Sequence, residues 1–125
     1  MSKNKKFDLE DRLVDFAARC ILVADALPPA KSGQHLMGQL TRSGTSPALN
    51  YGEAQGAESL KDFVHKMGVA LKELRETSVC LKIIIKAKLI EAEKLKPLLT
   101  EANELISIFV TSIKTAKQHI KEQEE

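Results

Sequence analysis

Asp62 and His65 are the residues whose types and spacing come nearest to a reaction centre. They stand three positions apart, so on a helix their side chains share a face, as the ligand pairs of carboxylate-bridged dimetal bundles do. Such a centre needs a second acidic-x-x-His pair and two further inward carboxylates. The chain has three histidines and no second pair of this kind. We therefore expect no metal site and no cofactor.

Ser43 and Ser46 lie in the segment RSGTS, whose small residues are typical of an anion-binding turn. The segment sits inside a helical periodicity and follows no strand, so it lacks the setting of a phosphate-binding loop. A serine nucleophile also needs a nearby base and an oxyanion site. The sequence places no histidine beside either serine. We therefore expect that the protein is not an enzyme.

A strip of positive charge is the next candidate for chemistry. On a helical wheel six cationic positions fall within about 100° of one another and span roughly 37 Å, long enough to follow a phosphate backbone. These positions are Lys61, His65, Lys72, Arg75, Lys82 and Lys86. The predicted nucleic-acid contacts are Lys61, Lys72, Arg75, Lys82 and Lys86. The alternative is that these side chains extend into water or pair with carboxylates of a neighbouring helix or subunit.

The composition is typical of one globular domain spanning residues 1–125, with flexible ends at 1–7 and 121–125. Of the 125 residues, 43% are hydrophobic and 29% charged, which argues against disorder. The net charge of +2 is only mildly basic, and one Tyr, four Phe and no Trp make a poor platform for stacking bases. The start of the chain is charged and no segment predicts a signal peptide or membrane span, so we expect a cytoplasmic protein.

Four helical periodicities follow one another, and no segment has the alternation of a strand. Asp8 and Ser59 are predicted helix caps and Phe7 a hydrophobic staple. Pro97 is tolerable in the fourth helix if it lies in the first turn, where its missing N–H loses no hydrogen bond. Cys20 and Cys80 lie in apolar helical runs, which indicates buried free thiols. The predicted helices run from about Asp8–Leu27, Gly33–Gln55, Ser59–Lys88 and Glu93–Lys121. Long helices with short connections predict an all-α, up-down-up-down four-helix bundle.

The second helix has two stripes instead of one. Its core stripe is Leu36, Leu40, Gly44, Pro47, Tyr51 and Ala54. About 90° round the wheel lies an uncharged, hydrogen-bonding line formed by Gln39, Ser43, Ser46 and Asn50, with Glu53 at its end. Such a line favours a close polar seam between helices or subunits, assigned to Arg42, Ser43, Ser46, Asn50 and Glu53. The alternative is local: Ser46 supplies hydrogen bonds where Pro47, expected to bend or interrupt the helix, removes one.

The third helix has apolar residues beyond its main stripe. Val79, Ile83 and Ile84 lie outside it, and an apolar arc of more than half the circumference needs more than one partner surface. A monomeric bundle would expose some of these side chains. The pattern therefore predicts self-association, although periodicity does not give the number of subunits.

Two motifs carry a resemblance to a known family. Leu40, Arg42, Ser43, Ser46, Asn50, Glu53 and Ala54 fit the pattern LxRSxxSxxxNxxEA, and Ser59, Asp62, Phe63, Ala70, Glu73, Leu74 and Glu76 fit SxxDFxxxxxxAxxELxE. From about Phe7 to Ile120 the chain resembles the bacterial four-helix-bundle proteins named for intervening sequences in 23S ribosomal RNA genes, also labelled S23. The ribosomal label reflects gene location.

The resemblance implies a four-helix bundle that commonly forms a homopentameric ring. A related member is the accessory variability protein of diversity-generating retroelements. The resemblance implies that this member is a basic pentamer that binds nucleic acid and a reverse transcriptase. We therefore expect a non-catalytic oligomeric bundle that binds RNA, DNA or a nucleic-acid enzyme, or serves as a scaffold. A purely structural, protein-interaction module is the alternative. A small apolar ligand in the bundle core is a third possibility.

Overall fold

Residues 8–124 are described by a computed structural model, in which they form four α-helices. These are α1, Leu9–Asp25; α2, Lys31–Gln55; α3, Leu60–Lys86; and α4, Ala92–Glu124. Contacts between α2 and α3 pair Ser43 with Thr77 and Glu53 with Lys66, so the two helices run antiparallel. The predicted all-α four-helix bundle is confirmed. The proposed Phe7 staple and the flexible segment 1–7 lie outside the described residues.

Side-chain caps fix where α1 and α3 begin. The Asp8 carboxylate accepts a hydrogen bond from the Asp11 backbone N–H at 3.1 Å. The Ser59 hydroxyl accepts one from the Asp62 N–H at 3.0 Å, and the Asp62 carboxylate reaches back to the Glu58 N–H at 3.4 Å. Both predicted caps are therefore confirmed, because each satisfies a backbone donor that the first helical turn leaves unpaired.

Several predicted boundaries differ from those of the structure. α1 ends at Asp25, two residues before the predicted Leu27, and α2 begins at Lys31 instead of Gly33. α3 ends at Lys86, and its chain reverses with Lys88 in the left-handed region, at a φ of 60°. α4 extends to Glu124, past the predicted end at Lys121.

The two helical prolines lie in different surroundings. α2 is continuous through Pro47, which is buried, so the helix is not interrupted there, and the predicted bend stays a prediction. Packing against α1 on one side and α3 on the other holds the helix together despite the missing hydrogen bond. Pro97 lies five residues after Ala92, in the second turn of α4 instead of the first. Pro97 is exposed, so water can solvate the carbonyl that it leaves unpaired.

The core forms from one stripe of each helix. In α1, Leu13, Phe16 and Cys20 are fully inaccessible. Ile84, predicted to lie outside the α3 stripe, is also fully buried. Because α3 packs against both α2 and α4, its buried arc is wider than one stripe and includes Ile84.

The four helices pack in chain order. α1 packs on α2, α2 on α3 and α3 on α4, while α1 and α4 approach one another at fewer positions. α1 and α3 therefore lie diagonally across the described bundle, and their outer faces point in opposite directions. Among the described residues, none of the helices is long and apolar enough to cross a membrane.

Candidate functional site, a groove between α2 and α3

The middle of α2 is where the small residues of the sequence meet other helices. A β-carbon built on Gly44 would lie 2.6 Å from the Cys20 Cβ atom, so only glycine allows α1 and α2 to approach this closely. Ser43, one residue earlier, is buried and faces α3. The same short segment therefore brings α1 and α3 against two faces of α2 that lie about 100° apart.

The buried contact of Ser43 is a chain of two hydroxyls. The Thr77 Oγ1 atom lies 3.0 Å from Ser43 Oγ and 2.8 Å from the Glu73 carbonyl oxygen. A hydroxyl has a single proton, so Thr77 donates to the carbonyl and accepts from Ser43. Both hydroxyls, which are 0–1% exposed, are satisfied without water.

Arg42 extends this contact to the surface. Its guanidinium donates to Glu73 at 2.8 Å and to Glu76 at 2.6 Å. The hydrogen bonds that the guanidinium donates to the carboxylates of Glu76 and then Glu73 raise the pKa of Arg42 above its ordinary value. We call Arg42, Ser43, Glu73, Glu76 and Thr77 the α2–α3 seam.

The other predicted seam residues are more scattered. Glu53 is exposed and pairs with Lys66 of α3 at 3.7 Å. The Asn50 amide donates to the Ser46 carbonyl at 2.9 Å, within α2 itself. Ser46 is half-buried, and Gln39 lies two turns away in the groove described next. The predicted line is thus divided between helix contacts and local bonds.

A groove with a volume of about 700 Å³ runs beside this seam, and we call it the α2–α3 groove. Its apolar wall includes Val79 and Ile83, which are 54% and 47% exposed. The Glu76 carboxylate in its lining is already bound by Arg42. The lining side chains are His35, Leu36, Gln39, Ser43, Gly68, Leu71, Lys72, Arg75, Glu76, Val79, Cys80 and Ile83.

The predicted nucleic-acid contacts are spread along the basic face of α3, which we define as Lys61, Lys72, Arg75, Lys82 and Lys86. All five side chains are exposed. Lys61 pairs with Glu124 of α4 at 3.3 Å. Within residues 8–124, no carboxylate lies within 4.0 Å of the other four cationic groups. Lys72 and Arg75 line the α2–α3 groove, while Lys82 and Lys86 continue the strip beyond it.

The residues that first suggested catalysis do not form one site. Asp62 bonds the backbone at the start of α3 and pairs with Lys66 at 3.8 Å. His35 and Ser43 line the same groove, but eight residues of helix separate them by about 12 Å. The Ser43 hydroxyl is also bonded to Thr77. In the described part of the chain, no three His, Cys, Asp or Glu side chains cluster closely enough to hold a metal ion.

Both cysteines are free thiols, as the sequence predicts. Cys20 and Cys80 are buried, and neither is in a disulfide. Burial raises the pKa of the Cys20 thiol to about 12 and raises that of Cys80 as well. Because the thiolate is the reactive form, neither side chain is activated as a nucleophile.

Sequence reasoning identified the cationic residues and the exposed Val79 and Ile83 but not the groove that joins them. The groove depends on how α2 and α3 are placed relative to each other, which periodicity does not encode. Leu36 was assigned to the core stripe of α2; it is half-buried against the core and also lines the groove.

The fold and this groove define the chain as an all-α four-helix-bundle protein with an apolar and basic surface groove. The family model for the 23S rRNA-intervening sequence protein matches residues 5–111. The chain belongs to this family, as its motifs indicated.

A solved structure agrees with this assignment. It is the 1.70 Å crystal structure of a protein with unknown function from the S23 ribosomal protein family of Bacteroides thetaiotaomicron VPI-5482. The two chains are 30% identical with a TM-score of 0.79, over 84% of this chain and 97% of the other. No curated protein sequence matches the chain.

Proposed function

We propose that this protein is a non-catalytic structural module that assembles copies of itself through the α2–α3 groove. The observation that carries the proposal is the half-exposed apolar pair Val79 and Ile83, set among cationic groups. An isolated bundle leaves this wall in water, and a second copy would cover it. Five copies, as the resemblance to the family implies, would form a particle of five times 13.8 kDa.

Solution mass tests this proposal. Val79→Gln with Ile83→Gln removes the apolar wall while keeping good helix-forming residues of unchanged charge. Each side chain stands to bury about half its surface, worth about 1 kcal/mol apiece. The pair should therefore weaken each interface by roughly 30-fold. Light scattering over a dilution series should show the wild type assembled and the variant dissociating at higher concentration.

Leu49→Gln is the matched control, because Leu49 is 68% exposed on another face of α2 and lies outside the groove lining. It should leave the mass unchanged. A wild type that keeps the mass of one chain at millimolar concentration would refute the proposal. Equal masses for the wild type and the groove variant would also refute it.

Nucleic-acid binding is a second candidate, and it is favoured by the four cationic groups of α3 that have no carboxylate partner within residues 8–124. The net charge of +2 makes this candidate weaker than self-assembly. In addition, the apolar side chains at the centre of the strip offer nothing to a phosphate backbone. A ring of copies would repeat the basic face of α3, so that several weak contacts would bind one nucleic acid together.

A salt series on mixed RNA and DNA tests this candidate. Binding through phosphates should weaken steeply as salt rises. Lys82→Glu with Lys86→Glu should abolish it without changing the solution mass, because both residues lie outside the groove lining. Absence of binding at low salt would eliminate the candidate.

A further inference from the structure

The outer face of α1 is a second apolar surface that the bundle leaves uncovered. Val14, Ile21 and Leu22 are 54%, 40% and 69% exposed. With the exposed Ala18, they form one stripe at three- and four-residue steps, opposite the buried stripe of the same helix. α1 therefore has apolar residues on two sides, and only one side is packed inside the chain.

Acidic residues surround this outer stripe. Glu10 is in the first turn of α1, and Asp25 is its last residue, with no basic residue in that last turn. Asp15 pairs with Arg19 at 3.7 Å, but its carboxylate keeps 69% of its surface exposed. Arg12 points away and is bound by Glu101 and Glu104 of α4 at 2.8 and 3.0 Å. The outer face of α1 thus presents an apolar centre with an acidic rim.

The α2–α3 groove is the complement of this face in both respects. Its apolar side chains, Val79 and Ile83, are half-exposed, and its cations, Lys72 and Arg75, have no carboxylate within 4.0 Å in the described chain. Docking the two surfaces would cover both apolar patches and place carboxylates beside cations.

The arrangement of the bundle decides how these surfaces can meet. α1 and α3 are diagonal, so the two faces point in opposite directions and cannot meet within one chain. A symmetric contact of groove with groove would bring Lys72 and Arg75 against their own copies. A symmetric contact of α1 with α1 would oppose acid with acid. Only a head-to-tail contact pairs unlike charges at every interface.

We infer that the outer face of α1 in one copy docks into the α2–α3 groove of the next. This inference rests on the proposed self-assembly and names the surface that occupies the groove. After one such contact, one copy still has a free groove and the other a free α1 face, so the contact repeats from copy to copy until a ring closes.

Two charge-reversed variants and their mixture test the pairing by solution mass. The groove variant is Lys72→Glu with Arg75→Glu, and the α1 variant is Asp15→Lys with Asp25→Lys. Each alone should weaken association at least tenfold, because like charges then face one another. Mixed in equal amounts they should associate again, because the groove of each variant then meets opposite charge on the α1 face of the other. A ring of five would keep one contact between like variants, so the result to measure is a mass above that of one chain, not recovery of the complete ring. All four positions are on the surface, and thermal melts should confirm that both variants fold.

The remaining outcomes separate this inference from the proposed function. Lys114→Glu with Lys117→Glu, on the exposed side of α4, repeats the charge change of the groove variant and should leave the mass unaltered. If the groove variant dissociates and the α1 variant does not, the groove binds another surface, and the inference fails while self-assembly stands. If both dissociate but the mixture stays dissociated, the pairing of these two faces is wrong. If the wild type has the mass of one chain, the proposed function fails as well.

Discussion

The middle of α2 and the outer face of α3 differ in whether their side chains find partners within the chain. In the middle of α2, Ser43 bonds Thr77, Gly44 packs on Cys20, and Arg42 holds two carboxylates. On the outer face of α3, Val79 and Ile83 are half-exposed, and Lys72 and Arg75 have no carboxylate partner in residues 8–124. Contacts are satisfied within the chain in the first region and not in the second, which is why we propose that a second copy binds at the outer face of α3.

Replacing Gly44 should produce the largest effect on this comparison. A valine there would push its Cβ atom to within 2.6 Å of the Cys20 Cβ atom. Gly44 and Cys20 are both buried, so neither side chain can move aside and α1 and α2 would have to separate. Thermal and denaturant unfolding should show a loss of about 1–3 kcal/mol or more.

Gly52→Ala is the control for this change, since a Cβ atom there meets nothing within 4 Å. It should raise the free energy of unfolding by roughly 0.5–1 kcal/mol through helix propensity alone. A Gly44→Val protein as stable as the wild type would mean that α1 and α2 are not held at this distance.

The buried hydroxyl pair should give the next largest effect. Thr77→Val removes the acceptor of the Ser43 proton and leaves that buried hydroxyl unpaired, at a cost of about 1–3 kcal/mol. Ser43→Ala combined with Thr77→Val removes both groups and should be closer to neutral. Chemical denaturation of the two single variants and the double variant measures this coupling. Strictly additive losses would show that the two hydroxyls are not bonded to each other.

Arg42→Gln should have the smallest effect on stability. Arg42 is on the surface, and although it holds both Glu73 and Glu76, ion pairs in water contribute little and are screened by salt. A small decrease in melting temperature at low salt should shrink further in 1 M NaCl. A large decrease that persists in high salt would instead make Arg42 a packing residue of the α2–α3 seam.

The sequence predicts the fold well, because its signals are local. The caps at Asp8 and Ser59 act within one turn, and the apolar stripes require only helical periodicity. Pro47 does not interrupt α2, because packing on two sides outweighs one missing backbone bond, and the sequence alone did not separate an interruption from a bend. The prediction for Ile84 was wrong because a helical wheel describes a single helix. The burial of Ile84 depends on both helices that pack against α3. The groove and the outer face of α1 emerge only when helix positions in space are known.

The most direct test compares the chemical accessibility of two matched positions. Val79 and Leu49 are 54% and 68% exposed in the single chain, so Val79→Cys and Leu49→Cys should react with a maleimide at similar rates when the protein is dilute. The two native cysteines are buried and should react slowly. At concentrations where copies associate, we expect the thiol of Val79→Cys to become protected while that of Leu49→Cys does not. Equal labelling of both positions at every concentration would contradict it.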